Sequence, residues 1–162
     1  MKKFIVGLFL LFFACQLNAI TYTKADSIRV VKLLEDGLRQ NNNTNLMIYY
    51  ARRLEGIPYV AKTLEVNPTE QLIVNLRQLD CTTYVENVLA LTLCVKNSSV
   101  SFKDFCRNLQ KIRYDEGNIR YTSRLHYFSN WIANNTKNGF VSEIQKNRPP
   151  FTAIQVVNTN YM

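Results

Sequence analysis

The sequence predicts an α+β domain in which helix outweighs strand. Three observations lead there. Five segments carry apolar residues at helical spacing, the extended apolar runs are few and short, and Asn, Gly or Pro marks most of the boundaries between them. A chain of 162 residues suits one domain, and an apolar share of 47% with 12% aromatics can build a core, which argues against general disorder.

The first element is a leader. Met1-Lys2-Lys3 is a positive start, Phe4 to Cys15 is an apolar run interrupted only by Gly7, and Gln16-Leu17-Asn18-Ala19 ends on a small residue. That run is too short to span a bilayer and has the proportions of a secretory signal peptide, so residues 1–19 are expected to leave and the chain to be exported, periplasmic or extracellular. A second reading starts the mature chain at Cys15 with a lipid anchor, since Phe13-Ala14-Cys15 loosely resembles a lipoprotein cleavage site. No later stretch is apolar enough for stable membrane insertion.

Asp26 to Gln40 reads as a helix, with Ile28, Val31, Leu34 and Leu38 on one face and Asp26 or Ser27 as its cap. Asn41-Asn42-Asn43 ends it, and Thr44 is the expected cap of a second helix through Leu54, stopped by Gly56. Pro58 biases Ile57 toward extended backbone. Gln71 to Leu76 suggests a strand. Cys81 to Val95 is helical and apolar on most sides, the pattern of a helix at the centre of a domain. Ser101 caps a helix to about Arg113, and Arg124 to Lys137 forms the last one. Phe140 to Ile144 and the chain from Phe151 onward read as strands.

The net charge of +8 falls to +6 once Lys2 and Lys3 leave. Only Arg52-Arg53 are adjacent, so the basic balance implies weak attraction to anionic envelopes and no nucleic-acid partner. No metal-ligand spacing and no Gly-rich phosphate loop occurs, so neither a metal nor another cofactor is expected. Without Cys15, three cysteines remain, an odd number that leaves at least one thiol free or paired to another chain.

Cys81 is the candidate nucleophile. It opens the apolar helix, where unsatisfied backbone N–H groups and the helix dipole favour a thiolate and can bind a developing oxyanion. A buried structural cysteine is the plainer alternative.

Gly56-Ile57-Pro58-Tyr59-Val60 and Leu79-Asp80-Cys81-Thr82-Thr83-Tyr84-Val85 together resemble the NlpC-type, papain-like superfamily of cell-wall peptidases. With Ser123-Arg124-Leu125-His126-Tyr127-Phe128 and Trp131-Ile132 downstream, the chain is similar to the N-acetylmuramoyl-L-alanine amidase-like family of secreted bacterial proteins. The resemblance implies a helical half carrying the nucleophile on a central helix, with the antiparallel sheet portion short or missing. It makes residues 20–162 an amidase-like domain that is incomplete at its carboxyl end, open to association with the missing part. Cys81 would attack the amide between the muramyl lactyl group and L-alanine of peptidoglycan or a muropeptide. Tyr59 would line the nucleophile's pocket, Asp80 would cap the helix within the substrate site, and Arg124 would grip a stem-peptide carboxylate. His126, the one histidine, suits a general base chemically, yet it falls in a helical pattern where the resemblance implies a strand. Three readings stay open: a cysteine amidase, either active or inactivated by truncation; a peptidoglycan-binding module derived from such an amidase; and an exported helical domain closed by a Cys94–Cys106 disulfide.

Overall fold

The structure, a computed structural model, describes residues 20–142 and residue 144. The expected leader and the expected strand from Phe151 lie outside the described residues. The described chain is mainly helical with a short two-stranded sheet.

Strand β1 (Ile20–Thr21) leads into helix α1 (Lys24–Leu38). Thr23, not Asp26 or Ser27, caps α1. Its Oγ1 accepts from the Asp26 amide at 3.2 Å while Asp26 Oδ2 accepts from the Thr23 amide at 3.0 Å, so Asp26 completes a reciprocal box three residues in. The other Asp26 oxygen accepts from the Leu76 amide at 3.0 Å and faces Arg77 Nε at 3.4 Å, tying α1 to a distant segment. Burial pushes the Asp26 carboxyl up. Bonds from the Thr23 side chain and from the Leu76 and Thr23 amides, with the Arg77 charge, outweigh it and hold the group below its ordinary value.

Helix α2 (Leu46–Arg53) is capped by Asn45, whose Oδ1 accepts from the Ile48 amide at 3.2 Å, one residue later than Thr44. Gly56 follows at φ +78, a left-handed turn that favours glycine. Strand β2 (Leu72–Ile73) falls inside the expected run but pairs in parallel with β1, Ile20 opposite Leu72 and Thr21 opposite Ile73. This parallel pair is the whole of the sheet among the described residues, alongside the expectation of an antiparallel portion that is short or missing. The two strands run side by side in the same direction, and the long connection through α1 and α2 is what a parallel pair requires.

Helix α3 (Cys81–Lys96) is the centre of the core, with Val88, Leu89, Ala90, Leu91 and Cys94 buried against α1, α2 and helix α4 (Phe102–Arg113). Ser101 caps α4 as expected, and Phe105, Cys106, Leu109 and Ile112 form its buried face. Cys94 and Cys106 are both buried and free, which removes the disulfide-closed reading. Helix α5 spans Phe128–Lys137, starting four residues later than the periodicity suggests. Arg124 is held extended by an antiparallel bridge to Tyr114, and Leu125 N–H donates to Arg113 O at 3.0 Å. Gly139 turns at φ +71, and the Phe140 and Val141 amides donate to Asn135 O, so described residues 140–142 close α5 and form no strand. No helix among the described residues is long and apolar enough to cross a membrane.

Candidate active site

The loop before α3 aims Cys81. Asp80 caps the helix with a second reciprocal box: its Oδ1 accepts from the Thr83 amide at 2.8 Å, and Thr83 Oγ1 accepts from the Asp80 amide at 2.9 Å. Cys81 is consequently the first helical residue, among the backbone N–H groups that a helix start leaves without intrahelical partners. Its side chain is exposed, with Sγ 3.9 Å from Thr82 Oγ1. One step earlier, Leu79 N–H donates to Pro58 O and Val60 N–H donates to Leu79 O, both at 3.1 Å, a parallel bridge between Tyr59 and Leu79. Tyr84 Oη donates to Ala51 O at 2.7 Å and packs the end of α2 against the same place. The result is a cleft of about 220 Å³ in which Cys81 meets Tyr59, Ile57, Leu54, Leu79 and Tyr84. Tyr59 is 71% exposed, its hydroxyl free to meet a ligand.

Across Asp80 lies a second cleft of about 160 Å³, lined by Lys62, Thr82, Glu86, Arg113, Arg124 and His126 among others. Its floor is an ion pair inside the core: Arg113 Nε donates to Glu86 Oε2 at 2.7 Å, Arg113 Nη1 donates to Ile73 O at 2.7 Å, and both side chains are 2% exposed. Burial pushes the Glu86 carboxyl up further than the adjacent Arg113 charge and hydrogen bond draw it down. Arg124 is nearly buried. Its Nη2 donates to Glu65 at 3.0 Å, its Nη1 faces Glu70 at 3.5 Å, and its guanidinium lies 5.0 Å from the centre of the Tyr121 ring. His126 lies in the turn before α5, exposed, with Nε2 3.0 Å from Tyr121 O and its ring 4.7 Å from the Tyr121 ring.

The structure thus brings Cys81, Tyr59 and Asp80 to one cleft, and Asp80, Arg124 and His126 to the other. Cys81 and His126 do not share a cleft. His126 lies outside any helix, a correction to the helical context read from the sequence. Arg124, expected to grip a substrate carboxylate, already faces two carboxylates of its own chain. Sequence reasoning missed Glu86, Arg113 and Lys62. Glu86 did leave a signal, a lone carboxylate inside an apolar helix, which calls for a buried counter-charge. Lys62 left none. No group of three or more potential metal ligands occurs among the described residues.

An exposed thiol at the first turn of the core helix thus shares its cleft with a phenol. A family model described as N-acetylmuramoyl-L-alanine amidase-like (AmiA-like) matches residues 49–161, and the chain belongs to that family. A crystal structure of an N-acetylmuramoyl-L-alanine amidase from Bacteroides uniformis ATCC 8492, at 1.15 Å resolution, is 45% identical with a TM-score of 0.55, covering 64% of this chain and 41% of that one. Another of the same description, at 1.07 Å, is 43% identical with a TM-score of 0.54 and covers 64% and 40%. The chain therefore spans about two fifths of the length of these solved relatives. No curated protein matches it.

Proposed function

We propose that this chain carries the nucleophile of a cell-wall amidase that cleaves the bond between the N-acetylmuramoyl group and L-alanine, on the helical half of a papain-like fold. The observation that carries the reading is the exposed Cys81 thiol at the start of α3, in one cleft with Tyr59. The thiolate attacks the lactyl carbonyl carbon, and the carbonyl electrons move to oxygen. Backbone N–H groups at the start of α3 and the Tyr59 hydroxyl stabilise that oxyanion. Collapse restores the carbonyl, breaks the C–N bond and releases L-alanine's amine once it takes a proton. The lactyl thioester that remains is attacked by water, which frees the carboxylic acid and the thiol. The export expected from residues 1–19 brings the chain to its substrate in the periplasm or beyond, and fractionation of cells making the full chain tests it.

Hydrolysis of a muropeptide is the direct test. Cys81→Ala is expected to lower turnover on the order of a thousandfold or more. Selective labelling supplies the independent check. Burial pushes the Cys94 thiol up to about 11 and the Cys106 thiol up to about 12, so at neutral pH iodoacetamide should alkylate Cys81 alone. Labelling of all three at similar rates would count against the reading.

A second reading has its own observation. Cys81 and His126 line different clefts with Asp80 and Thr82 between them, so no described imidazole is bonded to the thiol. A chain in this state binds peptidoglycan peptides without cleaving them. Equal ligand affinity of the chain and its Cys81→Ala variant, with no turnover in either, selects the binding module.

A further inference from the structure

The two clefts on either side of Asp80 differ in chemistry. The thiol's cleft is walled mainly by Leu54, Ile57, Leu79 and two tyrosines, with the Glu55 carboxylate beside them and, among the described residues, no cation, whereas the other gathers Lys62, Arg113 and Arg124 with Leu64 and Leu125 among them. Thr82, which lines the charged cleft, stands with its Oγ1 3.9 Å from Cys81 Sγ, which lines the other, and Asp80 lines both.

Within the charged cleft most groups are already committed. Glu86 holds Arg113, Glu65 and Glu70 hold Arg124, and Asp80 holds the first turn of α3. Among the described residues Lys62 is the cation of this cleft with no carboxylate partner. Its backbone sits at φ +62, a conformation that residues with a side chain rarely adopt. His126 adds a directional acceptor. Its Nε2 lies 3.0 Å from a carbonyl oxygen, which can only accept, so the neutral ring carries its proton there and keeps the Nδ1 lone pair open. A free cation and an open acceptor in one cleft suit a carboxylate with a peptide N–H beside it.

We propose that the charged cleft receives the stem peptide beyond L-alanine, with Lys62 as counter-charge to its free carboxylate and His126 Nδ1 accepting a peptide N–H. The uncharged muramyl arm then lies along Tyr59 in the thiol's cleft, which offers no cation to a carboxylate. The assignment rests on the amidase reading above and fixes the direction in which the scissile bond lies across Cys81.

The test measures binding to the full chain carrying Cys81→Ala, which removes turnover. The probes are N-acetylmuramoyl-L-alanyl-D-glutamate and its diamide. The acid should bind about tenfold more tightly than the diamide, the worth of one charge-assisted contact. Adding Lys62→Gln should bring the two affinities within about twofold while diamide binding persists, and Lys62→Arg should keep the preference. His126 is the sole histidine, so its ring signals in NMR are unambiguous, and the acid should move them. Equal binding of acid and diamide, a preference that survives Lys62→Gln, or unmoved ring signals on saturation overturns the orientation while leaving the amidase reading intact. Failure of both probes to bind overturns the two together.

Discussion

Among the described residues Glu86 and Arg113 form the ion pair with both partners buried. Each is 2% exposed, and removing one charge strands the other in the core. Glu86→Gln should lower stability at neutral pH by about 3–5 kcal/mol in denaturant titration. Replacing both residues together by apolar side chains should restore much of the loss. The pair also underlies the charged cleft, so the single variant should disorder the side chains beside Thr82 and not those around Tyr59. At this scale the sequence was partly readable. Cys81 stood out because chemistry marks a thiol at a helix start, whereas Lys62 matters only through what the fold places around it. Arg124 was visible as a residue but not as a committed one, since its partners Glu65 and Glu70 lie 59 and 54 residues away in sequence.

Helix α3 owes its exact starting point to Asp80. The reciprocal box with Thr83 satisfies two backbone N–H groups at once and makes Cys81, rather than a neighbour, the first helical residue. Asp80→Ala should cost about 1 kcal/mol in thermal or chemical unfolding, and Asp80→Asn, which keeps an acceptor, should cost less. Elements with strong periodicity or clear caps, such as α3 and α4 with Ser101, were legible from sequence. Those decided by distant contacts were not. The start of α5 moved from Arg124 to Phe128 because the Arg124 side chain has to reach the core from an extended backbone. Residues 20–21 and 72–73 are each too short to show a period, so the parallel pairing between them could be found only in three dimensions.

Two side chains of the first helix fasten it to the segment leading to the nucleophile: Asp26 accepts from the Leu76 amide, and Arg29 Nη1 donates to Leu76 O at 2.8 Å. Asp26 is 1% exposed, and its bonds to Thr23 and Leu76 hold its carboxyl below the ordinary value of 3.8. A folded-state value lower than the unfolded one gives stability that is fully present above the ordinary value and is lost as pH falls through the folded value. Acid unfolding followed by circular dichroism should therefore show a steep loss below about pH 4. In Asp26→Asn the protein should be weaker at neutral pH and lose less on acidification, so the two curves converge at the acid end. Parallel curves would mean that Asp26 does not carry this linkage.

The ladder contact between residues 58–60 and Leu79 has a mechanical meaning. Tyr59 comes from a loop 22 positions upstream of the sulfur, yet its peptide units are clipped to the strand-like residue two places before the thiol. Phenol and sulfur thus ride on one stiff frame. A tilt of the long central rod carries both backbones together, while the lysine three residues beyond the tyrosine hangs from a separate turn, pinned by the Glu65 amide to Lys62 O and by Arg124 to Leu64 O and Glu65.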